Sequence, residues 1–188
     1  MKTVLITAII VFIVVLPTWI IGSYARTRPP ALTSPNIRSG FGGLLWLFVL
    51  GQTAWLLRAV WETTFISSEF FFMLVRSVEM MTQAAVAVLP TVLAILLGAM
   101  TIYQIAVQRT PAAVASTIVM LWIMGPGVAM FQSWFFKLAL TQASMLQLFG
   151  WAIFWTVYFA ASPRVALTYG TPRGRRLVSE NQDKVRRL

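Results

Sequence analysis

Catalysis needs groups that exchange protons or attack an electrophilic centre, and this sequence holds few of them. It contains no His and no Cys, which removes the imidazole base, the thiol nucleophile, the disulfide and the usual haem and zinc ligand sets. Three of its five acids are Glu62, Glu69 and Glu79. Arg58 stands four residues before Glu62 and Arg76 three before Glu79, spacings at which side chains share one face of a helix. Exposed ion pairs of small energy are the expectation there. A general acid requires a carboxyl whose pKa burial has raised, and nothing in this stretch provides the burial. No P-loop and no Gly-rich dinucleotide motif is present. The chain is therefore expected not to be an enzyme, and to carry no cofactor and no metal.

Neutral polar groups are the other source of chemistry. Gln52, Thr53, Thr82, Gln83, Tyr103, Gln104, Ser116, Gln132, Ser133, Gln142, Gln147 and Thr156 all lie inside long uncharged runs. Hydrogen bonding between helices, about 0.6 kcal/mol on average, is the plainer use for them; the sharper one is a polar-lined pocket for a neutral or amphipathic ligand. Gly125-Pro126-Gly127 is a second candidate. Pro126 lacks a backbone donor and its ring collides with the carbonyl four residues back, so a kink or break is expected. Interrupted helices near mid-membrane form substrate sites in transporters, but Gly and Pro are also common at packing kinks in membrane helices. Pro90 raises the same question in the preceding run, whereas Pro111 sits where a first helical turn tolerates it.

The elements that must position these groups follow from composition. Of 188 residues 59% are hydrophobic and 11% charged, against about 25% charged in a soluble domain. Five stretches carry no charge: Thr3–Ala25, Ser39–Leu57, Met80–Gln108, Thr110–Phe136 and Leu138–Pro163. Each approaches or exceeds the roughly 20 residues that a helix needs to cross a bilayer. Their apolarity is continuous rather than alternating, which argues against a membrane barrel. The expected fold is an all-α integral membrane protein with five transmembrane helices, a lone N-terminal helix plus a four-helix bundle.

Charge gives the direction. From Pro163 onward the tail holds Arg164, Arg173, Arg175, Arg176, Lys184, Arg186 and Arg187 against Glu180 and Asp183, which assigns it to the cytoplasm. Counting spans backward puts Arg109 inside, the segment from Arg58 to Glu79 outside, and the linker bearing Arg26, Arg28 and Arg38 inside. The N-terminus is then periplasmic despite Lys2. Met1-Lys2, an apolar run and Ser23-Tyr24-Ala25 also fit a signal peptide with a small-residue cleavage site. Cleavage would leave Arg26 and Arg28 at a translocated end, against the charge bias, so an uncleaved first helix is expected. The formal charge of +10 raises nucleic acid as a partner. The basic residues, however, gather at the ends of apolar runs rather than among surface aromatics, and no nucleic-acid binding is expected.

Four regions result: a transmembrane helix over 1–25, a Pro-rich basic cytoplasmic linker over 26–38, a four-helix membrane domain over 39–163, and a basic cytoplasmic tail over 164–188. The linker's prolines, Pro29, Pro30 and Pro35, favour extended backbone and leave the first helix free to pack loosely or to serve a partner. Within the membrane domain, 62–79 is expected to lie along the outer interface with the rings of Phe70, Phe71 and Phe72 toward lipid; the alternative is an N-terminal extension of the third helix. Ala94–Gly98 and Ala112–Ser116 are small-residue pairs at a spacing that lets helices approach closely.

Two segments carry a resemblance. Arg38-Ser39-Gly40-Phe41-Gly42-Gly43-Leu44-Leu45 opens the second helix, and Trp155-Thr156-Val157-Tyr158 with Ser162-Pro163-Arg164-Val165 and Thr168-Tyr169 closes the last. Over about residues 38–170 the chain resembles the small bacterial membrane proteins grouped as domain of unknown function 2569. Those have four helices, a Gly-Gly-Trp-Leu start, and an ending of Tyr, then Ser-Lys-Arg-Val, then Thr-Phe. Arg109-Thr110-Pro111 sits where that family has a basic turn with proline. Leu44 stands in place of the Trp, Pro163 in place of a Lys and Tyr169 in place of a Phe. The resemblance implies a bacterial inner (cytoplasmic) membrane and a four-helix unit with both ends inside, and it implies no activity. Physically the closing motif reads as a membrane stop: Trp155 and Tyr158 anchor at the inner interface, Pro163 ends the helix, and Arg164 reaches lipid phosphate.

The basic tail, with Arg173, Arg175, Arg176, Arg186 and Arg187, is expected to adhere to anionic headgroups, at roughly 1 kcal/mol per basic residue near the surface, and can dock an acidic partner. The leading functional expectation is a non-catalytic accessory or assembly subunit of a larger membrane complex, with other membrane-protein subunits as partners. The alternative is a binder or transporter of a lipid or other amphipathic molecule at Gly125, Pro126 and Gly127. A polar pocket beside Pro126 favours the second; a tightly packed kink does not.

Overall fold

The structure is a computed structural model that describes residues 2–34, 37–74, 78–137 and 139–186. At 2–11, 65–74, 78, 84, 87 and 184–186 the description is of the backbone alone. Helix accounts for 84% of the chain, with no strands among the described residues. In order they are α1 (Lys2–Thr27), α2 (Leu44–Leu74), α3 (Val78–Val107), α4 (Pro111–Trp122), a π turn (Ile123–Gly127), α5 (Val128–Phe136), α6 (Gln142–Ala161), α7 (Pro163–Thr168) and α8 (Pro172–Arg186).

Four stretches are long and apolar enough to cross a membrane: Leu44–Thr64, Glu79–Val107, Pro111–Phe136 and Gln142–Ala161. A shorter apolar stretch, Phe12–Thr27, belongs to α1. The boundaries have local causes. Thr110 caps α4, its hydroxyl accepting from the Ala113 amide at 3.3 Å with Pro111 in the first turn. Thr141 caps α6 in the same way through Ser144. Lys137, at φ 54°, ends α5 in the left-handed region.

The segment 62–79 departs from expectation. α2 has no proline and continues without interruption to Leu74. Its 31 residues span roughly 46 Å at about 1.5 Å each, well beyond the ~30 Å hydrocarbon core. The residues after Thr64, as far as Leu74, therefore continue α2 beyond its membrane-length stretch and do not extend the third helix. Arg58 and Glu62, paired at 2.7 Å, reinforce that continuation. Arg76 lies outside the described residues.

The core lies where α2, α3, α4 and α6 meet. Phe48 of α2 packs edge-on against Trp155 at 4.8 Å and Phe159 at 5.0 Å. Ala94 is buried, and a Cβ at Gly98 would stand 2.9 Å from the Trp55 ring, so the first small-residue pair is where α3 approaches α2. The first helix is not lone. Thr18 and Ala25 are fully buried, and α1 packs on α2 and α3.

Its linker is also fixed. The Ala31 and Leu32 amides donate to the carbonyls of Thr168 and Leu167 at 3.0 and 2.9 Å, satisfying the free end of α7. Asn181 of α8 donates to Ser34 at 2.7 Å. Linker, Arg109 turn, α7 and α8 thus gather at one end of the bundle, the three regions that the charge count assigned to one side.

Candidate functional site

Pro126 sets the local geometry of the membrane-length stretch Pro111–Phe136. Its ring cannot tolerate the carbonyl of Trp122 in α-helical register, and the chain answers with a single π turn over Ile123–Gly127, a known way of absorbing such a misfit. The helix is not broken: α4 and α5 continue on either side. A Cβ at Gly127 would stand 3.1 Å from the Trp122 carbonyl oxygen, so glycine makes room for the displaced group. Pro126 itself is buried.

The π turn is flanked by space rather than by tight packing. On one side, a hollow of about 780 Å³ runs between α3 and the α4–α5 helix, walled by Leu89, Pro90, Leu93, Trp122, Gly127 and Phe131 among other apolar residues. On the other side, a chamber of about 240 Å³ lies between α2, the π turn and α6. Gly51, Gln52, Trp55, Met124, Gly125, Gln147 and Trp151 help to line it. A Cβ at Gly125 would meet nothing within 4 Å, so the chamber opens directly over the glycine.

The neutral polar residues divide into two groups. Several tie helices together. Ser116 and Thr117 donate to Gln104 Oε1 at 2.7 and 3.2 Å, Trp122 Nε1 donates to Thr156 at 3.0 Å, and Gln132 Nε2 donates to Thr91 at 3.4 Å. Gln52 is different. It is 1% exposed, yet its Oε1 has no hydrogen-bond partner, and it lines the chamber. A buried acceptor left unpaired costs roughly 1–3 kcal/mol, and this oxygen has almost no surface open to the chamber. Thr53 Oγ1, next in the chain, is also buried and unpartnered.

The two segments that carry the family resemblance meet at the end of the bundle that holds the linker, α7 and α8. The Arg164 guanidinium lies over Gly42 and Gly43; a Cβ at Gly43, whose φ is +60°, would stand 2.6 Å from Arg164 Nη1. The Gly40 amide donates to Thr168 Oγ1 at 2.9 Å, and that hydroxyl donates to the Arg164 carbonyl at 2.6 Å. Tyr169 is fully buried, and its hydroxyl donates to the Ile105 carbonyl at 2.6 Å. Burial pushes its phenol well above the ordinary value of about 10, which keeps it the protonated donor. Arg109 packs between the Phe41 and Tyr169 rings and donates to the Ala25 carbonyl at 2.5 Å.

That arrangement corrects the membrane-stop expectation in part. Trp155 is 3% exposed inside the core, against Phe48, Trp151 and Phe159, and does not reach an interface. Its place one turn after Trp151, on the α6 face turned toward α2, explains this. Tyr158 is half-buried beside it at 5.6 Å. The Arg164 guanidinium lies against Gly42 and Gly43, and its Nε is buried without a hydrogen-bond partner. Pro163 does end α6, and it opens α7 after the Ser162 cap. In the tail, Arg173 donates to the Ala160 carbonyl at 3.1 Å at the end of α6, and Arg175 and Arg176 are exposed. Arg186 closes α8 and Arg187 lies outside the described residues.

Gly51, Trp151 and Met124 belong to the chamber without having been singled out in the sequence. The available signal was Gly51-Gln52, a small residue beside a carboxamide in an uncharged run. No family model, no curated protein and no solved structure matches this chain. The resemblance to domain of unknown function 2569 therefore rests on its motif residues.

Proposed function

We propose that the chain is a multi-pass bacterial inner-membrane protein that binds a lipid or other amphipathic molecule at the π turn, without catalysing a reaction. The observation that carries the reading is the unfilled space on both faces of the turn: the apolar groove at Gly127 and the smaller chamber at Gly125. The space beside Gly127 is a groove open to the surroundings of the bundle and that beside Gly125 is partly enclosed, so both leave room against the turn. Apolar walls with few polar groups are the usual lining of a small-molecule site.

Five spans, a periplasmic N-terminus and a cytoplasmic C-terminus complete the proposal. The shared end of linker, Arg109 turn and tail supports it, together with their excess of basic residues. The outer surface also fits lipid: Trp134 is 76% exposed and Leu146 77%. Assembly into a larger complex, the other function that the sequence admits, has only that apolar surface in its favour, and lipid covers such a surface without a protein partner. Kinship with domain of unknown function 2569 is part of the same proposal, supported by the contact between its two motif segments.

Excision of the protein from its native membrane in polymer-bounded discs, followed by identification of both proteins and small molecules, tests this reading. The expected result is one amphipath enriched over the bulk membrane and no protein at fixed stoichiometry. A fixed protein partner with lipids in bulk proportions would contradict it.

A further inference from the structure

Another groove lies away from the π turn, between α1 and α3, near where these helices give way to the linker and the Arg109 turn. It holds about 400 Å³, and its walls include Ile20, Ile21 and Tyr24 of α1 and Ala99, Tyr103 and Val107 of α3. The α3 wall from Ala99 to Val107 is roughly 12 Å long at about 1.5 Å per residue, less than half of the ~30 Å hydrocarbon core. That is the reach of a lipid chain in one leaflet, whereas a partner helix would need a seam across the whole core.

The end of the groove differs chemically from its walls. Tyr24 and Tyr103, both exposed, stand three and four residues before the ends of their helices, a placement typical of tyrosine at a membrane interface. Arg28 folds back onto Tyr24: its guanidinium lies 5.2 Å from the ring centroid and donates through Nη2 to the Tyr24 hydroxyl. Tyr103, on the facing wall, is within electrostatic reach of the same guanidinium. Arg28 is exposed and has donors beyond the one given to Tyr24. The ion pair formed among the described residues is Arg58–Glu62, so Arg28 has no acidic partner there. An accessible cation fixed at the end of an apolar groove of leaflet depth complements both parts of an anionic phospholipid.

We infer that this groove seats an acyl chain of a phospholipid with a net negative headgroup, whose phosphate oxygens accept hydrogen bonds from Arg28 and from the Tyr103 hydroxyl. This rests on the chain's spanning a membrane and not on a ligand at the π turn.

The test uses the full chain in phosphatidylcholine vesicles with two photoreactive probes of identical chains, a phosphatidylglycerol and a phosphatidylcholine. Labelled peptides covering 20–24 and 99–107 are quantified. In the unaltered chain phosphatidylglycerol labels them at least about fivefold more, the ratio expected from one basic residue at a membrane surface. A preference of that size leaves the lipid in exchange with the bilayer, so it is read in the membrane and not by co-isolation. Arg28→Gln brings the two probes to one level. Arg175→Gln with Arg176→Gln, which removes two exposed charges from α8, leaves the preference unchanged. Ala99→Phe, at an exposed wall position, fills the groove and lowers labelling by both.

Equal labelling of the unaltered chain by the two probes overturns the headgroup selection. A preference that survives Arg28→Gln overturns Arg28 as its reader, and one that falls equally with the α8 pair shows only the general charge of that end. Labelling indifferent to Ala99→Phe overturns the groove as the seat and leaves the π-turn reading standing. Release of the unaltered chain from the vesicles by alkali overturns membrane insertion and this site together.

Discussion

Gly43 carries two constraints at one atom. Its φ of +60° disfavours any L side chain, and a Cβ would press on Arg164 Nη1. Gly43→Ala is therefore expected to destabilise the protein by roughly 1–3 kcal/mol, seen as a lower thermal midpoint in mild detergent; an unchanged midpoint would remove Arg164 from that position. Tyr169 gives a graded comparison. Tyr169→Phe keeps the ring under Arg109 and leaves the Ile105 carbonyl without its hydroxyl donor, for a loss of about 1 kcal/mol. Tyr169→Ala adds a cavity at a fully buried site and is expected to cost several-fold more, roughly 3–5 kcal/mol. Equal effects of the two would mean that the ring is not packed. At this scale the sequence was a poor guide. Trp155 and Tyr158 have the composition of an interface belt, and only the rotation of α6 against Phe48 puts the first of them in the core.

At the scale of elements, the π turn is the feature on which the account depends. Pro126→Ala restores the missing amide and removes the ring clash, so the stretch from α4 to α5 can return to α-helical register. Thermal stability is expected to hold or rise, while retention of a co-isolated amphipath falls; loss of stability with undiminished retention would show that the turn does not shape the site. Gly174 tests the docking of the tail. A Cβ there would collide with the Ala166 carbonyl oxygen, so Gly174→Ala is expected to release α8 and speed tryptic cleavage at the exposed Arg175 and Arg176. Cleavage at the original rate would contradict a packed α8. Most elements were legible. Uncharged runs mark the spans, Pro111 and Pro163 mark helix starts, and Pro126 marks an irregular turn. The continuation of α2 past Thr64 was not, because Glu62 and Glu69 lower the apolarity without breaking the helix. Nor was the fixing of the linker on α7, since backbone amides such as those of Ala31 and Leu32 leave no trace in residue type.

For the whole molecule, the polar groups have unequal fates. Gln104, Gln132 and Thr156 bind helix to helix, but the side-chain oxygen of Gln52 is buried without a partner. Residue type alone could not separate them, because each is a neutral group in an uncharged run and only the facing helix decides its partner. A bundle tied by such bonds, fixed at one end by Arg109, Tyr169 and Arg164, holds the π turn between a groove and a chamber. The direct measurement is native mass spectrometry of the intact protein released from its membrane, beside the Gly125→Leu variant, whose side chain enters the chamber without a clash at its Cβ. The account predicts a single adduct of constant mass on the unaltered protein and its loss from the variant, with both folded. A bare protein, or the same adducts on both, would contradict it.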